Sequence, residues 1–180
     1  MRTEKIVFAS LALAVVLLLA FGAIHAVNRG RPIAFFAYGV NLGESTLSAR
    51  AGGFINSTPA MLPGYVLAFA SQDSRPAEFG VATLAENKAG RVSGALYYLT
   101  AEQMTALDGQ SGGPGFYEKR IVKVALPDGS LAEAQAYFLA GGTHPAVPSR
   151  PYILAATGGL LERGYGTSEL EEAIAAAQQN

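Results

Sequence analysis

The 180-residue chain contains no cysteine, which excludes disulfides, thiolate nucleophiles and cysteine-ligated zinc. It has two histidines, His25 and His144. His25 lies in an apolar run, so a histidine-rich metal centre or a histidine-based triad has almost no material, and no metal site is expected. Charge is scarce too: 15% of residues are charged and the formal net charge is -1, so there is no broad basic face and nucleic acid is not an expected partner. The missing thiols leave the redox compartment open, because neither an oxidising nor a reducing milieu is contradicted. Half of the residues are hydrophobic, enough for one core, and the length allows one domain with a short extension.

That extension is N-terminal. Residues 6–27 form a stretch of 22 without formal charge, interrupted only by Ser10, Gly22 and His25. As a helix it would reach roughly 33 Å, against about 30 Å for a bilayer core. A buried soluble helix usually carries a polar stripe, and residues 11–23 have none. A cleaved secretory signal is the competing reading, with Arg2 and Lys5 as its charged head. Its cleavage site would be Ile24-His25-Ala26, which lacks the small residue expected three before the cut. The expectation is therefore a single-pass membrane anchor with its linker over residues 1–30, followed by a domain over 31–180. Arg2 and Lys5 on one flank face Arg29 and Arg31 on the other, so charge sets orientation only weakly; the domain is expected outside the cytoplasm.

The domain reads as α+β. Apolar and aromatic residues over 33–38 predict a buried strand, 44–50 a short helix, and 65–70, after Pro63-Gly64, a second strand. Residues 80–84 and 92–99 read as a hairpin turning at Asn87-Lys88-Ala89-Gly90. Thr100 to Gln103 predicts a capping box, with Met104 and Leu107 on one helical face and Gly109 ending the helix. Two strands, 119–126 and 131–139, flank the turn Pro127-Asp128-Gly129-Ser130. Two helices close the chain, capped by Ser149 and Ser168.

Tyr38-Gly39-Val40-Asn41 is the most informative loop: a strand that stops at glycine turns its next backbone N–H groups outward, which suits a small anion. Read alone, it is also consistent with a plain turn into a helix. Phe36 to Leu42, with Leu47 and Arg50 behind it, resembles the FAYGSN(M/L) segment and trailing Leu-x-x-Arg of the γ-glutamylcyclotransferase family, with Val40 in place of the usual serine. Residues 62–69, 80–84 and 92–97, then Leu107-Asp108, Gly112, Tyr117, 122–124, 137–139, Pro148-Ser149, Tyr152 and Gly158 keep the family order, so the resemblance spans about residues 33–176. It implies a mixed, barrel-like sheet flanked by helices, with a small cavity at the mouth of the first strand.

The resemblance also implies chemistry. The loop would hold the carboxylate of a γ-glutamyl moiety, a glutamate would act as general acid and base, and the substrate's α-amine would attack the γ-amide to give 5-oxoproline. No cofactor is needed, because placement of the amine supplies most of the advantage. Carried over by position, Tyr38, Gly39, Val40 and Asn41 form the substrate-binding loop with Tyr117 beside it, and Ser111 stands at the catalytic glutamate's position. A serine hydroxyl does not take the amine's proton near neutral pH, so the expected activity is weak, unless Asp108, Glu118 or Glu78 substitutes. Strand alternation turns Glu118 away if Tyr117 faces the cavity, Asp108 sits one turn early and reads as structural, and Glu78 falls in a loop. The alternative to weak cyclotransfer is an inactive relative that holds an amino-acid-like ligand or a protein partner at the membrane. Gly109 to Gly113 also matches the G-x-S-x-G pattern of serine hydrolases, but that motif needs a strand before the serine and a helix after it, the reverse of the order here.

Overall fold

The computed structural model describes residues 30–75, 79–113 and 115–179. The expected membrane segment, residues 6–27, lies outside them, as does Glu78. Among the described residues no helix is long and apolar enough to cross a membrane.

The compact unit begins at Pro32. Its first strand, β1 (Ile33–Ala37), runs into a one-turn 3-10 segment at Gly39–Asn41 and then helix α1 (Glu44–Ala51). Two long strands follow, β2 (Asn56–Gln72) and β3 (Val81–Leu99), then α2 (Ala101–Gln110), β4 (Tyr117–Ala125), β5 (Leu131–Leu139), the short β6 (Thr143–Pro145), α3 (Arg150–Glu162) and α4 (Ser168–Gln178). The sheet order is β3-β1-β5-β4-β2-β6, and β2 also pairs with β3. That last pairing closes five strands into a barrel, with β6 appended to the far end of β2. The barrel is mixed: β1 lies parallel to β5 and every other pairing is antiparallel. The α+β, barrel-like class expected from the sequence is the class observed.

Closure explains the burial of β1. Phe35, Phe36 and Ala37 are successive and all buried, so both faces of the strand are covered. Each fully buried Phe or Leu contributes about 1.5–3 kcal/mol relative to exposure, and this strand, Leu42, Leu47, Leu96, Tyr97 and Leu107 form the centre of a single large cluster.

Several local expectations need correction. The hairpin at residues 87–90 does not exist: β3 is one strand, and both of its halves pair with β2. The register jumps there from Pro63 opposite Arg91 to Tyr65 opposite Glu86, so residues 87–90 form a bulge facing Gly64. Strand β2 accordingly starts at Asn56, well before the expected residue 65. Gly109 does not end α2, which runs on to Gln110 with Ser111 as its C-cap. The N-cap position of the final helix is Thr167 and not Ser168, and no side chain caps it; the Thr167 hydroxyl donates to Glu171 Oε1 at 2.7 Å. The Thr100 capping box and the Ser149 cap form as read.

Helix α3 braces the segment after β1. Arg163, just past its end, donates to Tyr97 Oη at 2.6 Å and Ser57 Oγ at 3.1 Å and pairs with Glu44 Oε1 at 3.1 Å, while Glu162 accepts from the Glu44 amide at 3.0 Å. The backbones meet closely: a Cβ on Gly159 would lie 2.7 Å from the Gly43 nitrogen.

Candidate functional site

The turn after β1 opens onto a cavity of about 250 Å³. Four phenols contribute to its wall, Tyr38 from the end of β1, Tyr117 from β4, Tyr137 from β5 and Tyr152 from α3, together with Val40, Asn41, Arg50, Arg75 and Ser111. Five segments far apart in sequence thus converge on one space at the barrel's end. Of the residues expected at the site, Tyr38, Val40, Asn41, Ser111 and Tyr117 all line it. Gly39 stands behind the wall: its φ is +60°, and a Cβ there would lie 2.9 Å from the Ala82 Cβ and 3.1 Å from Tyr152 Oη.

Burial pushes the phenols of Tyr38, Tyr117, Tyr137 and Tyr152 above their ordinary value, so all four stay protonated at neutral pH. Their hydroxyls are committed in different ways. Tyr38 donates to the Tyr137 carbonyl at 2.5 Å, and Tyr137 donates to Asp108 Oδ1 at 2.7 Å. Tyr152 Oη accepts from the Ala82 amide at 3.0 Å.

Two residues of this wall each carry a side-chain atom that is buried without a hydrogen-bond partner: Asn41 Oδ1 and Arg50 Nε. Arg50 Nη2 donates to the Gln110 carbonyl at 2.5 Å. Among the described residues no carboxylate lines the cavity, and none pairs with Arg50. Ser111 is buried, 6% exposed, and its Oγ donates back to the Leu107 carbonyl at 2.7 Å. It is a capping hydroxyl at a helix end, beside Tyr137, and the described carboxylate that shares a cavity with it is Asp108.

The substitute carboxylates divide clearly. Glu118 is exposed and pairs with Arg120, on the opposite side of β4 from Tyr117. Asp108 borders a second cavity that shares Ser111, Tyr117 and Tyr137 with the first, and it pairs with Lys119 at 2.6 Å. It lies one hydrogen bond behind the wall, through Tyr137. His144 bonds Asp73 at 3.3 Å and lines a different cavity from Ser111, so among the described residues no hydrolase triad assembles. Among the described residues no three His, Asp or Glu side chains come together as a metal would require.

Sequence reading had placed Arg50, Tyr137 and Tyr152 only within the family-like pattern, without a role, and had not singled out Arg75. Their spacing carries no signal because each arrives from a different element.

A closed five-stranded barrel with a polar cavity at the end of its first strand defines an α+β protein with room for a small molecule at one end. The chain belongs to the γ-glutamyl cyclotransferase, AIG2-like family, whose model matches residues 35–154. A γ-glutamylcyclotransferase from Mus musculus is 26% identical over 160 residues, covering 87% of this chain and 84% of its own length. Among solved structures, a γ-glutamyl cyclotransferase superposes with a TM-score of 0.70 at 26% identity, covering 81% of this chain and 87% of the other. An uncharacterized Homo sapiens protein superposes with a TM-score of 0.68 at 25% identity, covering 81% and 88%.

Proposed function

We propose that this chain holds a γ-glutamyl amine or peptide in the cavity after β1 and cyclises it to 5-oxoproline slowly, because Ser111 stands where the family resemblance sets a glutamate. The observation that carries the reading is the wall itself: protonated phenols, an unpartnered amide oxygen and a guanidinium, with no described carboxylate among them. In cyclotransfer the α-amine forms a bond to the γ-carbon, the bond to the leaving nitrogen breaks, and a proton moves from the first nitrogen to the second. Phenols held protonated by burial stabilise developing charge on the γ-carbonyl oxygen but do not take up that proton. Placement of the amine survives, whereas general acid/base catalysis, typically about 10²- to 10⁴-fold, does not.

A second reading has its own support. Ser111 Oγ is spent on the Leu107 carbonyl, an arrangement that suits an inactive relative retained for binding an amino-acid-like ligand or a protein partner. The uncharged residues 6–27 support attachment to a membrane as a single-pass anchor, with the domain outside the cytoplasm. Measuring 5-oxoproline release from γ-glutamyl amides, alongside calorimetry with the same ligands, tests the two readings together. Binding with slow release supports the enzyme, binding with none supports the inactive relative, and the absence of binding overturns both.

A further inference from the structure

We propose that Arg50 anchors the ligand's carboxylate, so that the cavity recognises acids through a side-chain guanidinium in addition to loop amides; this rests on the cavity being the γ-glutamyl site. Arg50 sits on the last turn of α1, and its Nη2 is tied to the carbonyl of Gln110 at the end of α2. That bond ties the guanidinium to the end of α2, Nε stays buried without a partner, and the residue as a whole lines the cavity. A half-buried cation with no counter-ion among the described residues is unfavourable, because a nearby charge of opposite sign ordinarily offsets its desolvation. An anionic ligand in the cavity that Arg50 lines supplies that charge.

The Tyr152 phenol beside the loop already accepts from the Ala82 amide at 3.0 Å, whereas no described carboxylate pairs with Arg50. Asn41, whose side-chain oxygen is a buried acceptor without a partner, lines the same cavity, so a residue with an unmet donor and one with an unmet acceptor border a ligand whose head carries a carboxylate and an amine. Arginine suits a carboxylate through directed N–H groups, which a lysine ammonium does not reproduce.

The test is calorimetry on the full chain in detergent with two lactams, 5-oxoproline and 2-pyrrolidinone, which share a ring and differ by the carboxylate. Wild type should bind 5-oxoproline at least about tenfold more tightly, the scale of one charge-assisted hydrogen bond. Arg50→Gln should reduce that preference to about twofold while leaving 2-pyrrolidinone affinity unchanged, and Arg50→Lys should fall between. A preference that persists in folded Arg50→Gln overturns the anchor while leaving the γ-glutamyl reading intact; binding of neither lactam by wild type overturns both. If Arg50→Gln does not fold, ¹⁵N-labelled wild type decides. The Nε–H resonance absent from Arg50→Lys should shift with 5-oxoproline and not with 2-pyrrolidinone, and equal response to the two overturns the proposal.

Discussion

The Tyr137 hydroxyl donates to Asp108 Oδ1 at 2.7 Å, while Lys119 holds the other carboxylate oxygen at 2.6 Å. This pair fixes the direction of the phenol: its hydrogen points out of the main cavity, and its oxygen remains there as an acceptor. Tyr137→Phe should therefore weaken γ-glutamyl ligand binding by about three- to tenfold and cost about 1 kcal/mol of stability, the typical worth of one hydrogen bond. Asp108→Asn keeps an acceptor for the phenol and should do less of each. Calorimetry and urea unfolding of both variants check the order, and a larger effect from Asp108→Asn would refute it.

Gly39 is constrained twice, by a φ of +60° and by its approach to Ala82 and Tyr152. Gly39→Ala should cost about 1–2 kcal/mol from the left-handed backbone and the contact, and Gly39→Val more. In the variant that remains folded, ligand affinity should drop because the turn and Tyr152 shift together. Unchanged affinity in calorimetry would mean that the loop is only a turn.

Ser111→Glu restores a carboxylate at the boundary between the two cavities. Release of 5-oxoproline should rise by at least about 10²-fold, the lower end for a general acid/base group. A variant that binds ligand yet stays inert would favour the inactive relative, because the cavity would then lack more than a base.

The four buried phenols make stability fall in alkali. Their folded pKa values lie above the ordinary 10.0. The stabilisation is complete below pH about 10 and is lost above it, as the unfolded chain releases protons that the folded state retains. Each phenol that is ionised only when unfolded adds a slope of about 1.4 kcal/mol per pH unit. Urea midpoints measured from pH 8 to 11 should stay flat and then drop, and the drop should be shallower in Tyr137→Phe.

The N-terminal run makes a prediction of its own. Full-length protein should remain with membranes after a carbonate wash, and a chain starting at Pro32 should not. Mature soluble protein beginning at Val27 would instead identify a cleaved signal.

What was legible in the sequence was local chemistry. The β4–β5 turn could be read because Asp128 Oδ1 accepts from the Ser130 amide at 2.9 Å and Gly129 adopts a φ of +82°. Asn87 to Gly90 carries similar residues and misled, since its conformation is set by pairing with a distant partner: β2 continues past Pro63-Gly64 and draws both halves of β3 along it. At the site the loop was visible because strand, glycine and asparagine are adjacent in the chain. Arg50, Tyr137 and Tyr152 gain their roles only when the barrel closes, and no spacing rule anticipates that.

The close backbone approach at Gly159 extends the ligand's neighbourhood well beyond the residues that would touch it. Tyr152 lies two helical turns before Gly159 on α3, and α3 presses on the segment that carries Gly43 and Asn41. A single added methyl at position 159 would push the helix off that segment and carry the Tyr152 phenol away from the Ala82 amide. Sequence drift at such a remote, featureless position would therefore reshape the cavity, whose form is written partly in a residue without a side chain.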